Sequence, residues 1–179
     1  MEEEVERLLD AFAEYSEARL KLLALLSQGN RDPLADFSEH LVARLVNGTL
    51  ADNRVQKGWD VRSGDQLIQV KYLANSAGDH WVNEITIRSV PGVDRFALLV
   101  YESFVPLAVL IFPSDLSGVC AELGKRHPDQ ASSLQFTRRN FRSVLERPER
   151  FGELGVQVVD LARTAVPQAG DPPAASPSP

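Results

Sequence analysis

Three polar side chains draw notice by their spacing: Asp60, Gln69 and Lys71, set on either side of Gly64-Asp65. Polar and apolar residues alternate through Asp60-Val61-Arg62 and again through Ile68-Gln69-Val70-Lys71, as in two strands with one buried face. A two-residue loop that begins with Gly suits a type II′ hairpin turn. Closing the hairpin there pairs Ser63 with Gln66, Val61 with Ile68, and Asp60 with Gln69. Side chains directly opposite share a face, with Cβ atoms about 5 Å apart. Lys71 falls on the face of Gln69 because strand side chains alternate, while Val61, Ile68 and Val70 turn the other way into a core.

An acid, an amide and an ammonium on one surface suit phosphodiester hydrolysis. A hard divalent cation takes oxygen ligands, which Asp60 and the Gln69 carbonyl supply, and Mg²⁺ commonly keeps waters beside one or two carboxylates. The cation polarises the phosphate and acidifies a water, while Lys71 orients that water or offsets charge growing on phosphorus. The plain rival is an exposed hairpin that carries Asp, Gln and Lys for solubility alone. His40, His80 and His127 show no metal-ligand spacing, and there is no P-loop, zinc ribbon, nucleophile elbow or dinucleotide-binding glycine pattern.

These residues resemble the PD-(D/E)xK nuclease superfamily, with its restriction-endonuclease-like fold. Gly58-Trp59-Asp60 followed by Gln69-Val70-Lys71 looks like the branch with Gln in place of the second acid, as in Mrr-like restriction nucleases. Phe37-Ser38-Glu39-His40-Leu41-Val42 looks like that family's first helix, and the resemblance spans about residues 33 to 112. It implies Asp60 as the metal-binding aspartate, Gln69 in the place of the second acid, Lys71 as the catalytic lysine and Glu39 as the helix acid. The main-chain carbonyl of Val70 would be a further metal ligand. Also implied are Mg²⁺ or Mn²⁺ as cofactor, DNA as substrate, endonuclease activity in restriction or phage defence, and a homodimer or a larger defence complex. Gln69 departs from the usual pattern by removing one negative charge. The alternative it raises is a DNA-binding or scaffolding subunit that keeps the fold without the catalysis.

The elements that must hold these residues follow from periodicity. Val5, Leu8, Leu9, Phe12, Tyr15, Leu20, Leu23 and Leu26 recur at helical spacing, so residues 1 to 28 should form an amphipathic helix that packs on its own domain or pairs with a second copy. Asp32 and Pro33 open a second helix, carrying Glu39, to about Val46. Strands are expected over 55–61, 66–73, 82–88, 96–101 and 107–112. Pro113-Ser114-Asp115 caps a helix to about Arg126, Thr137 caps another to about Glu146, and Val156 to Val159 forms a last strand. The fold class expected is α/β, an α+β sandwich with a central mixed sheet flanked by helices, over residues 29 to 163. Residues 164 to 179, rich in Pro, Ala and Ser, should be disordered.

The net charge of -6 hides an uneven distribution. Seven of the 25 acids lie in residues 2 to 17 against one of the 19 bases, which leaves 18 of each for the rest. Local basic patches then suit DNA: Arg54, Lys57 and Arg62 near Lys71, Arg88 on a strand, and Arg138, Arg139 and Arg142 at a helix start. The acidic N-terminus is unlike a secretory leader, a single cysteine allows no internal disulfide, and no apolar run is long enough for a membrane span. A cytoplasmic protein is expected, with Cys120 as a buried packing residue.

Overall fold

A computed structural model of the 179-residue chain describes residues 14, 15, 17–22, 24, 25, 32–52, 58–76, 78, 80–125 and 133–161. Those between 14 and 25 are helical, but most of the amphipathic helix expected over 1–28 lies outside the described residues. So do Arg54, Lys57 and the tail at 164–179.

Helix α1 runs Pro33–Leu45. The Asp32 carboxylate accepts the Leu34 N–H at 2.9 Å and Pro33 occupies the first turn, satisfying an end where backbone donors lack partners. The chain leaves α1 through Gly48, where a Cβ would stand 2.5 Å from the Arg62 carbonyl oxygen and 2.9 Å from Val61 Cγ1. Glycine thus lets the helix exit press onto the next strands. Strands β1 (Thr49–Leu50), β2 (Val61–Ser63) and β3 (Gln66–Asn75) follow. The β2–β3 turn is the expected one: Ser63 pairs with Gln66 and Val61 with Ile68. Gly64 has φ of 56° while Asp65 stays outside the left-handed region, as a type II′ turn requires.

Beyond β3 come β4 (Ile85–Arg88), β5 (Arg95–Glu102) and β6 (Val105–Pro113), then α2 (Ser117–Glu122), β7 (Ser133–Phe136), α3 (Arg138–Glu146), α4 (Pro148–Glu153) and β8 (Gln157–Asp160). Six strands make a mixed sheet in the order β1-β2-β3-β5-β6-β8, with β3 and β5 parallel and every other neighbouring pair antiparallel. Strands β4 and β7 form a separate antiparallel ribbon.

The sheet has a core on each face. Helix α1 covers one, where Val42 meets Val61, Ile68, Leu99, Val109 and Ile111. The ribbon and α2–α4 cover the other, where Phe96, Leu98, Leu110 and Phe112 pack with Phe136, Phe141 and Phe151. Burial on both faces explains why Phe96 to Tyr101 of β5 is unbroken in its burial. Cys120 lies in the second core, and burial raises its thiol pKa.

The mixed sheet flanked by helices matches the expected class, and several boundaries differ. Among the described residues the strand expected over 55–61 begins only at Val61. The helix expected from Pro113 starts at Ser117, because Asp115 closes a local turn onto the Ser117 N–H at 2.9 Å and makes no cap. Thr137 caps α3 as expected, in a reciprocal pair with Asn140. Strands β1 and β7 and helix α4 were not anticipated. No helix of the described residues is long and apolar enough to cross a membrane.

Gly48→Ala should cost about 1–3 kcal/mol, because the Arg62 carbonyl must retreat from the new methyl group; denaturant unfolding at constant m-value checks it.

Candidate active site

Asp60 stands where β2 begins. Its N–H bonds the Ile68 carbonyl at 2.9 Å, although Ile68 is already the ladder partner of Val61. Two consecutive residues therefore address one, in the manner of a β-bulge, and the regular ladder does not continue to the expected Asp60–Gln69 pair. The bulge turns the Asp60 carboxylate onto β3, where Oδ2 accepts the Val70 N–H at 2.7 Å. Trp59, just before it, packs against the second core, and the Arg62 guanidinium lies 5.2 Å from the centre of its ring.

That hydrogen bond fixes what the edge of β3 presents. In an extended strand the N–H and C=O of one residue project to the same side. The Val70 carbonyl consequently opens on the edge where the Asp60 carboxylate sits, beyond the end of β2. Gln69 and Lys71, the residues flanking Val70, project from the face carrying the second core, since their neighbours on β5 are Phe96 and Leu98. Arg62 shares that face, because Val61 points to the other. Both Gln69 and Lys71 are partly buried. The Asp60 carboxylate is thus joined to the Val70 main chain, and Gln69 and Lys71 flank that residue on β3.

Glu39 approaches from the other side. It lies on α1, which covers the face to which Ile68 and Val70 point, opposite to the face from which Lys71 projects. Asp36, one turn earlier, was not singled out from the sequence; it is fully buried and Glu39 nearly so, and both make polar interactions. The sequence carries no signal for Asp36, because the apolar stripe of this helix runs through Leu34, Phe37 and Leu41 and leaves Asp36 among its polar positions. Two tyrosines hold this helix in place. Tyr72 donates to the Asp32 carboxylate, and Tyr101 lies 3.0 Å from Ser38 Oγ. Since Ser38 already donates its single proton to the Leu34 carbonyl, Tyr101 is the donor. At the far end Ser63 Oγ donates to the Val46 carbonyl at 2.7 Å.

Of the remaining cations, Arg138, Arg139 and Arg142 line a cleft of about 380 Å³ with Ser143 and Glu146. Helix α3, which carries them, packs by Phe141 and Val144 on the Lys71 side of the sheet. Arg138 is also 4.0 Å from Glu102, whose other contact is the Trp81 indole N–H at 2.9 Å. Arg88 is exposed on β4. No group of three or more His, Cys, Asp or Glu side chains among the described residues is placed to hold a metal. A centre here would rest on Asp60, the Val70 carbonyl and the Gln69 carbonyl, a donor set that fits Mg²⁺ retaining several waters.

The two tyrosines make stability depend on alkaline pH. The hydrogen bond to Asp32, then burial, raises Tyr72 from 10.0 to about 12; burial is the main cause that raises Tyr101 to about 12. A raised acid pKa means that the folded chain holds the proton more tightly, so this contribution is complete below pH 10 and is lost between about pH 10 and 12. Absorbance titration of tyrosinate should show two of the chain's three tyrosines ionising near 12, together with unfolding. In hydrogen exchange, Asp60→Ala should speed the Val70 amide by on the order of tenfold or more through loss of its acceptor, and Lys71→Ala should leave it unchanged. Comparison of the chain with models of known protein families and with curated proteins finds no match.

Proposed function

We propose that this chain is a divalent-metal-dependent DNA endonuclease of the restriction-endonuclease-like type, with its active site at the β3 edge. The observation that carries the reading is the 2.7 Å bond from the Val70 N–H to Asp60 Oδ2, since it sets a carboxylate beside the Val70 carbonyl with Gln69 and Lys71 on either side. A divalent cation bound there, Mg²⁺ or Mn²⁺, would supply Lewis acidity to the scissile phosphate and its attacking water. Asp60 contributes the negative charge and Gln69 a neutral oxygen. Lys71 places an ammonium where charge grows on the phosphoryl oxygens. Glu39, on α1, adds negative potential from the opposite face. Arg62 and the α3 arginines Arg138 and Arg139, with Arg88 on β4, offer phosphate contacts that position a duplex without reading its sequence.

The setting of this activity is restriction or phage defence in the cytoplasm, and a homodimer would give two sites for two strands. Exposed Tyr15, Leu20 and Leu25 of the N-terminal helical residues support a self-associating face. One observation favours a second reading. A carboxylate that caps a strand N–H has a sufficient structural role, so a binding or scaffolding subunit would keep Asp60 for that reason alone.

Plasmid cleavage and calorimetric Mg²⁺ titration separate the two. Wild type should nick DNA with Mg²⁺. Lys71→Ala should lower the rate on the order of 10²–10³-fold, while folding stays within about 0.5 kcal/mol. Asp60→Ala should lose both cleavage and metal, and Gln69→Glu should tighten the metal and keep activity. Wild-type protein that binds no Mg²⁺ and cuts no DNA establishes the scaffold reading instead.

A further inference from the structure

The sheet outlasts the helix that covers it. Helix α1 ends at Leu45, and beyond it the same face continues with the start of β5, the end of β6 and β8. A cleft of about 260 Å³ remains there. Its apolar walls include Leu45, Ile111 and Val159, and its polar lining is Arg95, Gln66 and Gln157 with Ser63. Ser63 Oγ is committed to the Val46 carbonyl.

Arg95 is the unusual group. Its Nε donates to the neutral Gln66 Oε1 at 3.1 Å, while its Nη1 is buried with no hydrogen-bond partner. A guanidinium nitrogen kept from both water and an acceptor destabilises its own resting position. An anion drawn into the cleft relieves that penalty once the guanidinium turns towards it. Gln66, its oxygen held by Arg95, retains an NH₂ donor, and Gln157 supplies another. One cation with neutral amide donors matches a single negative charge better than a doubly charged phosphate. The planar guanidinium fork matches a carboxylate, and the apolar walls require an apolar body. The volume lies just below the range for drug-sized ligands.

We infer that this cleft is a binding site for a small organic monocarboxylate, held at Arg95 with its hydrocarbon part against Leu45, Ile111 and Val159. The cleft lies on the α1 face at the start of β3, uses none of Asp60, Gln69 and Lys71, and does not depend on the nuclease reading.

The test uses hexanoate as probe and inorganic phosphate as control, with amide chemical shifts and thermal melting as readouts. Hexanoate should move the amides of Gln66, Arg95 and Gln157 and raise Tm, and equimolar phosphate should do neither. Arg95→Met keeps the aliphatic stem and removes the unpartnered nitrogen; it should bind hexanoate at least about tenfold more weakly while melting no lower than wild type without ligand. Leu45→Glu puts a carboxylate at the half-exposed mouth and should block hexanoate in a chain that retains Arg95. Equal shifts in wild type and Arg95→Met, equal effects of phosphate and hexanoate, or no shift at all would overturn the assignment.

Discussion

Everything proposed for the catalytic edge depends on one hydrogen bond, from the Val70 N–H to the Asp60 carboxylate. Without it the β3 edge would expose an unpaired donor at Val70. With it a negative charge is fixed to the rim of a strand whose carbonyl opens on the same side. The bond accompanies the bulge at Asp60 and Val61, and Trp59, just before it, packs against the second core.

The two cores hold that edge from opposite directions. On one face α1 is fixed at both ends, by Tyr72 and Tyr101 near its start and by Ser63 near its exit, and Gly48 sets how closely it meets β2. On the other face the ion pairs of Glu122 with Arg147 and Arg150 link α2 to the start of α4. As exposed pairs they add little stability, and the apolar contacts of Phe141, Val144 and Phe151 dominate there. Gln69, Lys71 and Arg62 project from that second face, the side of the sheet on which α3 packs.

Much of this was legible in the sequence because it is local. The Gly64-Asp65 turn and alternating residues give the register of β2 and β3, and Asp32-Pro33 and Thr137 mark helix starts by their own hydrogen bonds. What was not legible depends on distant partners. Strand β7 is four residues long and becomes a strand by pairing with β4, some 50 residues earlier. The bulge at Asp60 has no signature of its own, because an ordinary hairpin rule continues the ladder to Gln69. The side of the sheet that α1 covers is a tertiary choice, and it puts Glu39 across the sheet from Lys71. Asp36 was overlooked because a buried acid on a helix reads as a solvated one until its surroundings are known.

A metal site nucleated by the Asp60 carboxylate and the Val70 carbonyl can be sought by titrating Mn²⁺ into ¹⁵N-labelled protein, since a paramagnetic ion broadens the amides nearest to it. The signals of Asp60, Val70 and Lys71 should broaden first, Mg²⁺ in excess should restore them, and Asp60→Ala should remove the effect. Broadening centred on another acidic surface, such as Glu122 and Glu153, or spread evenly over the chain, would contradict a site there.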